Sequence, residues 1–270
     1  MRVAVVGVDG AGKTTVLSRL RETDDVAVVH AVRTHEDPHS PFAGLSRALA
    51  GASTVADALG RVQLKLAVLC LQMCLYGPAE RQAAGRGRVL LADRHPLVDP
   101  LVYLPMFGRI ERDEAPGDDV EAWWRGQDPG AAGAVRDWLQ ECCGHTDPWL
   151  LGTELLRLGT LPPHEMLDGL GRRFGVTLPD GVLLLDLPVD EALRRTRERA
   201  RDSELHETAA FLTATRQRYE LVLDWFRDAR PGVAVRRIDC SGRSVEEVTG
   251  LVRTSLDGLM TFVSTNGCPK

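Results

Sequence analysis

The stretch Gly7–Thr15, "GVDGAGKTT", decides the reading of this 270-residue chain. It follows the apolar run "RVAVV" (2–6) and precedes "VLSRLRE" (16–22), whose apolar residues recur at helical spacing. The order Gly7-x-x-x-x-Gly12-Lys13-Thr14, set between a strand and a helix, fits a phosphate-binding loop. Glycines let the backbone turn with successive N–H groups aimed into one hollow, and the helix start behind it adds positive potential. Gly10, Ala11, Gly12, Lys13, Thr14 and Thr15 are therefore expected to hold the phosphates of a nucleotide. Lys13 has the reach for a terminal phosphate, and the Thr14 hydroxyl suits a magnesium ion that keeps most of its waters.

Beyond the loop, four more runs read as buried strands: "VAVVHAV" (26–32), "RVLLAD" (88–93), "GVLLLDL" (181–187) and "VAVRRID" (233–239). With residues 2–8 they make five, each β-branched or leucine-rich and separated by helical segments. That alternation predicts an α/β fold with a five-stranded parallel sheet. Helix starts are expected at Ser40-Pro41, at Asp190 and at Ser244…Glu247, the last with capping-box spacing. The third and fourth runs lie unusually far apart, and the gap holds Trp123, Trp124, Trp138 and Trp149. Residues 108–178 are accordingly expected to be a helical insertion, with residues 1–107 and 179–270 as the core.

Net charge is −5, without a long block of one sign, which argues against a nucleic-acid partner or an anionic membrane. No apolar stretch is expected to span a membrane, and the first strand starts too early for a signal peptide. The six cysteines, Cys70, Cys74, Cys142, Cys143, Cys240 and Cys268, match no metal or redox spacing and read as reduced thiols of a cytoplasmic protein.

Three further groups carry chemistry. Asp93 and Arg94, in "LLADRHP" (90–96), end the third strand, where parallel sheets place their ligands. There an acid can hold magnesium-bound water while the arginine grips a second phosphate or a hydroxyl-bearing substrate. Arginines at 194, 195, 197, 199 and 201 cover more than one helix face. They read as a mobile lid over 194–204 or as a helix salt-bridged by Glu191, Glu198 and Glu204. In "HEDP" (35–38), either Glu36 or Asp37 is placed to act as a base or orient a hydroxyl.

"GVDGAGKTT", "DRH" (93–95), "LLLDLPVDEALRRTRER" (183–199), "RQRYEL" (216–221) and "RIDCSGRSVEEV" (237–248) stand in the order found in thymidylate kinases. The chain resembles that family outside residues 108–178. The resemblance implies a three-layer P-loop NTPase fold of the nucleoside monophosphate kinase type, with transfer of the ATP γ-phosphoryl group, assisted by Mg2+, to a nucleotide such as dTMP. It implies that Lys13, Arg94, Arg197 and Arg199 are catalytic, that Arg195 and Cys240 join the loop in holding ATP, and that Thr14 and Asp93 hold the metal. Asp9, Asp37, Arg94 and His95 would meet the acceptor, and a homodimer stays open. The segment "DRHPLVDPLVYLP" (93–105) is also similar to herpes-type thymidine kinases, which phosphorylate nucleosides. That second resemblance implies a base-reading glutamine on the long helix, a role Gln72 would take, so a nucleotide, a nucleoside or another small hydroxyl compound stays open as acceptor, beside a non-catalytic ATP-binding switch.

Overall fold

A computed structural model describes residues 1–22, 25–37, 39–107, 115–199 and 208–266. The described residues within 1–29, 83–102 and 177–270 form one compact unit, and those within 30–82 and 103–176 form another. Helices cluster in the second unit, so the long helices before the third strand group with the tryptophan-bearing segment.

In the first unit, strand β1 (Arg2–Val6) leads into helix α1 (Lys13–Arg21), and most of β2 (Val26–His30) follows. The second unit holds α2 (Ala43–Leu59), α3 (Val62–Cys74) and most of α4 (Tyr76–Ala83) before β3 (Val89–Asp93) returns to the sheet. Helix α5 (Asp99–Phe107) leaves it again, followed by α6 (Asp119–Arg125), α7 (Pro129–Cys143), α8 (Pro148–Leu158) and α9 (Pro163–Phe174). Then come β4 (Gly181–Asp186), α10 (Val189–Arg199), α11 (Ala209–Ala229), β5 (Ala234–Asp239) and α12 (Val245–Asn266).

All five expected strands form, in the order β2-β3-β1-β4-β5. β1 pairs in parallel with β3 (Val5 beside Asp93) and with β4 (Val5 beside Leu183). Every residue of β3 and β4 is buried, as their unbroken apolar runs require, whereas β5 is an edge strand that turns Arg236, Arg237 and Asp239 to solvent. The central place of β1 puts the glycine-rich loop at the middle of the sheet's carboxyl edge, with β3 ending beside it.

Local signals behave as their chemistry dictates. Glu247 N–H donates to Ser244 Oγ (3.2 Å) and Ser244 N–H to Glu247 Oε2 (2.7 Å), closing the capping box of α12. Two Asp-Pro pairs act alike: Asp128 and Asp147 cap α7 and α8, each with proline in the first helical turn.

In the second unit, α3 runs through the interior, with Leu64, Ala67, Val68 and Leu71 fully buried. Its tightest neighbour is α8: a Cβ placed on Gly152 would lie 2.1 Å from the Gln63 carbonyl oxygen, so only glycine admits this approach. Trp123 Nε1 donates to Ala52 O and Trp138 Nε1 to Leu71 O, both at 2.9 Å, which pins α6 and α7 over α2 and α3. The stretch Val62–Ala83 is long and apolar enough to cross a membrane by length and composition, but 78% of its window is buried inside the protein. Burial on all sides makes a helix uniformly apolar without any bilayer. Cys70, Cys74, Cys142, Cys143 and Cys240 are free thiols, and Cys268 lies outside the described residues.

Candidate active site

The chain leaves β1 at Gly7 (φ +147°), turns at Gly10 (φ +88°) and enters α1 through Gly12 (φ +88°), which caps the helix in a left-handed conformation. Close approach adds to the φ requirement at two of these glycines. A Cβ on Gly7 would meet Leu185 O at 2.5 Å, and one on Gly10 would meet Ala192 O at 2.6 Å. The loop is thus wedged between its own helix and α10. Gly10→Ala is expected to lower unfolding stability by about 1–3 kcal/mol in a urea titration, from left-handed strain plus the α10 clash. A change below about 0.5 kcal/mol would mean that α10 yields freely.

Lys13 is only 7% exposed. Its ammonium donates to the carbonyls of Gly7 (2.8 Å) and Val8 (3.0 Å) and lies 3.9 Å from Asp9. Burial first, and then the neighbouring Arg94 guanidinium, push its pKa down to about 8. The Thr14 hydroxyl donates to Asp93 Oδ2 at 3.0 Å, which joins the first turn of α1 to the end of β3. A hydroxyl beside a buried carboxylate is the hard-oxygen pair that suits magnesium. Among the described residues no three His, Cys, Asp or Glu side chains gather as a metal cluster. Magnesium held largely by water and phosphate oxygens needs no such cluster.

Arg94 is the one non-glycine residue with positive φ (+66°) among those described. Its backbone N–H still donates to Val5 O (3.2 Å), so the left-handed turn begins directly off the sheet. The guanidinium reaches Asp9 Oδ1 (2.5 Å) with one terminal nitrogen and Asp99 Oδ1 (3.2 Å) with the other. Asp99 also accepts from the Tyr219 hydroxyl (2.8 Å) and from His95 N–H (2.7 Å). Sequence reasoning did not single out Asp99 or Tyr219, although both lie in strings noted for other reasons. His95 is 1% exposed, its Nδ1 accepts from Leu97 N–H, and burial drives its pKa down to about 3, so the ring is neutral.

Helix α10 divides the arginines by face. Ala192 and Thr196 lie against Gly10, and one Arg195 terminal nitrogen stands 4.0 Å from where a Gly12 Cβ would be. Glu191 holds Arg195 (2.6 Å) and also accepts from Gly242 N–H (3.3 Å), tying the turn after β5 to α10. Arg197, about 200° further round the helix, is exposed and lines an open groove of about 450 Å3 with Asp190, Leu193 and Arg194. The Arg199 side chain and residues 200–204 of the expected lid lie outside the described residues. Cys240 is fully buried, its N–H donates to Asp186 O (2.8 Å), and burial raises its thiol to about 11, so the structure brings neither its backbone N–H nor its sulfur to the surface for the expected ATP contact.

In the second unit, Glu36 faces Arg33 (3.3 Å) and His30 (3.7 Å), while Asp37 Oδ1 accepts from His39 N–H (3.0 Å) within its own turn. Gln72 is 5% exposed, and its side-chain amide makes no hydrogen bond among the described residues.

No family model matches the chain, and no curated protein matches it. Solved structures do. It is similar to the thymidylate kinase of Candida albicans at 16% identity, with a TM-score of 0.53 and coverage of 98% of this chain and 92% of that one. It is also similar to the deoxyadenosine kinase of M. mycoides, seen with dCMP and dCDP, at 14% identity, a TM-score of 0.50 and coverage of 96% and 100%. At these identities the likeness establishes the fold alone: an α/β architecture with a five-stranded parallel sheet.

Proposed function

We propose that this protein is an ATP-dependent kinase that transfers a phosphoryl group to a nucleoside monophosphate of the dTMP class. One observation carries the reading. Lys13, Thr14, Asp93, Arg94 and Asp9 converge at the carboxyl ends of β1 and β3, in hydrogen-bond or ion-pair contact with one another. A glycine-rich loop alone would serve any nucleotide-binding protein. A second cation facing the loop from the neighbouring strand is what a phosphoryl acceptor needs.

In this reading the loop amides and Lys13 hold the ATP phosphates, and Arg195 stands beside Gly12 to meet charge on the same phosphates. Magnesium supplies charge neutralisation and alignment when bound, through Thr14 and Asp93. Arg94 fixes the acceptor phosphate, whose oxygen attacks the γ-phosphorus as the bond to the ADP oxygen breaks. An acceptor phosphate carries no proton that must be removed first, so positioning and charge suffice. Arg197 and Arg199, nearer the end of α10, are proposed to join on lid closure. In the second unit, the Gln72 amide, on a side chain 5% exposed and with no hydrogen bond among the described residues, is proposed to read a base. That amide also favours the second reading, a nucleoside acceptor whose 5′-hydroxyl proton passes to Asp37 or Glu36. The five free thiols support a reducing, cytoplasmic setting.

The test is ADP release with ATP, magnesium and a panel of nucleosides and nucleoside monophosphates. Turnover that needs a monophosphate supports the leading reading, turnover with nucleosides alone supports the second, and turnover with neither rejects both.

Ligand-linked protonation gives an independent check. Lys13 titrates near 8 in the free protein, and polyanionic phosphates favour its charged form. ATP binding at pH 8 is therefore expected to take up about half a proton per site. Calorimetry in two buffers of different ionisation enthalpy measures it. Equal uptake by Lys13→Ala would assign the proton to another group.

A further inference from the structure

Arg94 is held by two carboxylates of unlike character. Asp9 is 42% exposed at its side chain, whereas Asp99 is 1% exposed. Solvent, or an incoming ligand, can replace Asp9 at one terminal nitrogen. Nothing can reach Asp99 without opening the core.

Asp99 is also fully committed. One carboxylate oxygen takes Arg94 and the Tyr219 hydroxyl, and the other takes His95 N–H, the residue directly after Arg94 in the chain. The carboxylate therefore grips this segment twice, through the guanidinium of Arg94 and through the backbone beyond it. Both grips act across the one non-glycine residue with positive φ among those described, whose backbone conformation is unfavourable without support. Tyr219, itself fully buried on α11, fixes the carboxylate from behind.

We propose that Asp99, backed by Tyr219, is the positioning residue of Arg94: it sets the left-handed turn and aims the guanidinium, leaving the Asp9 side of the fork free to exchange for an acceptor. The proposal rests on the phosphotransfer reading for its catalytic consequence, but the geometry it asserts is measurable without turnover. A loosely held guanidinium must be ordered anew in each turnover, which lowers the rate more than the affinity for ATP.

The experiment combines kinetics with a direct view of the guanidinium. Asp99→Asn keeps the shape and an acceptor for His95 N–H but removes the charge, and Tyr219→Phe removes only the hydroxyl. Asp99→Asn is expected to lower kcat/KM for the acceptor by about 10–50-fold and Tyr219→Phe by about threefold, with KM for ATP within about twofold of wild type. In an Arg94→Ala background, Asp99→Asn is expected to change kcat/KM by less than about twofold, because its effect passes through Arg94. Nitrogen-15 spectra at low temperature are expected to resolve the Arg94 Nη protons in the wild type, identified by their loss in Arg94→Lys, and to lose them in Asp99→Asn. Equal losses with and without Arg94, or unchanged Nη signals in Asp99→Asn, overturn the proposal. A wild-type protein that phosphorylates no acceptor rejects the phosphotransfer reading alone. The loss of Nη signals in Asp99→Asn would then still support the anchor.

Discussion

Replacing Lys13 by alanine is expected to cut kcat by about 10²–10³-fold while the sheet stays folded, since a preorganised cation aimed at developing phosphate charge is worth this much in a dry site. The local geometry explains both halves of that result. The ammonium is buried, with the Gly7 and Val8 carbonyls as its hydrogen-bond acceptors, so it is oriented before ligand arrives. Its removal leaves those carbonyls without that donor, which destabilises the loop. It also removes a charge whose burial is unfavourable, and the two effects oppose. The melting temperature is expected to move by only a few degrees. The pH dependence is a sharper signature. A lysine near 8 in the folded state and near 10.5 unfolded binds fewer protons when folded between those values. Stability of the wild type is therefore expected to rise across that window, by at most about 3 kcal/mol, and Lys13→Ala is expected to lose the rise. If activity survives within a few-fold, the phosphate-loop assignment is wrong.

Arg94→Ala has the second-largest expected effect and separates the two acceptor readings. With a nucleoside monophosphate, Arg94 bonds a dianion in the ground state, so the acceptor KM rises and kcat falls. The combined loss is expected at about 1.5–3 kcal/mol, or roughly ten- to a hundred-fold in kcat/KM. With a nucleoside there is no acceptor phosphate before transfer, and kcat falls while the acceptor KM stays nearly constant. Alanine at this position also strands the buried Asp99 carboxylate, so the folded fraction of the variant must be measured beside its rate. Arg94→Lys completes the set: it keeps the charge but loses the fork that spans Asp9 and Asp99, and is expected to fall between wild type and alanine. An unchanged kcat/KM for every acceptor would remove Arg94 from the site.

The five strands, the loop and the α12 capping box were legible because each is written in adjacent residues. Apolar runs, glycine spacing and Ser-x-x-Glu need no knowledge of distant contacts. Asp99 was not legible for the opposite reason. Its hydrogen bond to Tyr219 joins positions 120 apart and leaves no periodic trace. The arginine series shows an intermediate case. Sequence places several cations on α10, but the packing of Ala192 and Thr196 against Gly10 decides which of them faces the loop. Arg195 does, and Arg197 lies on another face. Length and composition alone would let Val62–Ala83 pass for a membrane segment, and it is burial in the fold that accounts for its apolar character.

The crossing of α3 by α8 sets a problem of timing during synthesis. Gln63 and Gly152 meet backbone to backbone, yet about ninety residues separate them in the chain. At ribosomal speeds of about 5–20 residues per second, the apolar surface of α3 waits roughly 4–18 s for its cover to be made. Throughout that interval the growing chain carries a bare helix that hydropathy cannot tell from a membrane segment. The central strand β1 waits about as long for β3 and longer for β4, so chaperone demand is expected on this helix and on the unfinished sheet alike.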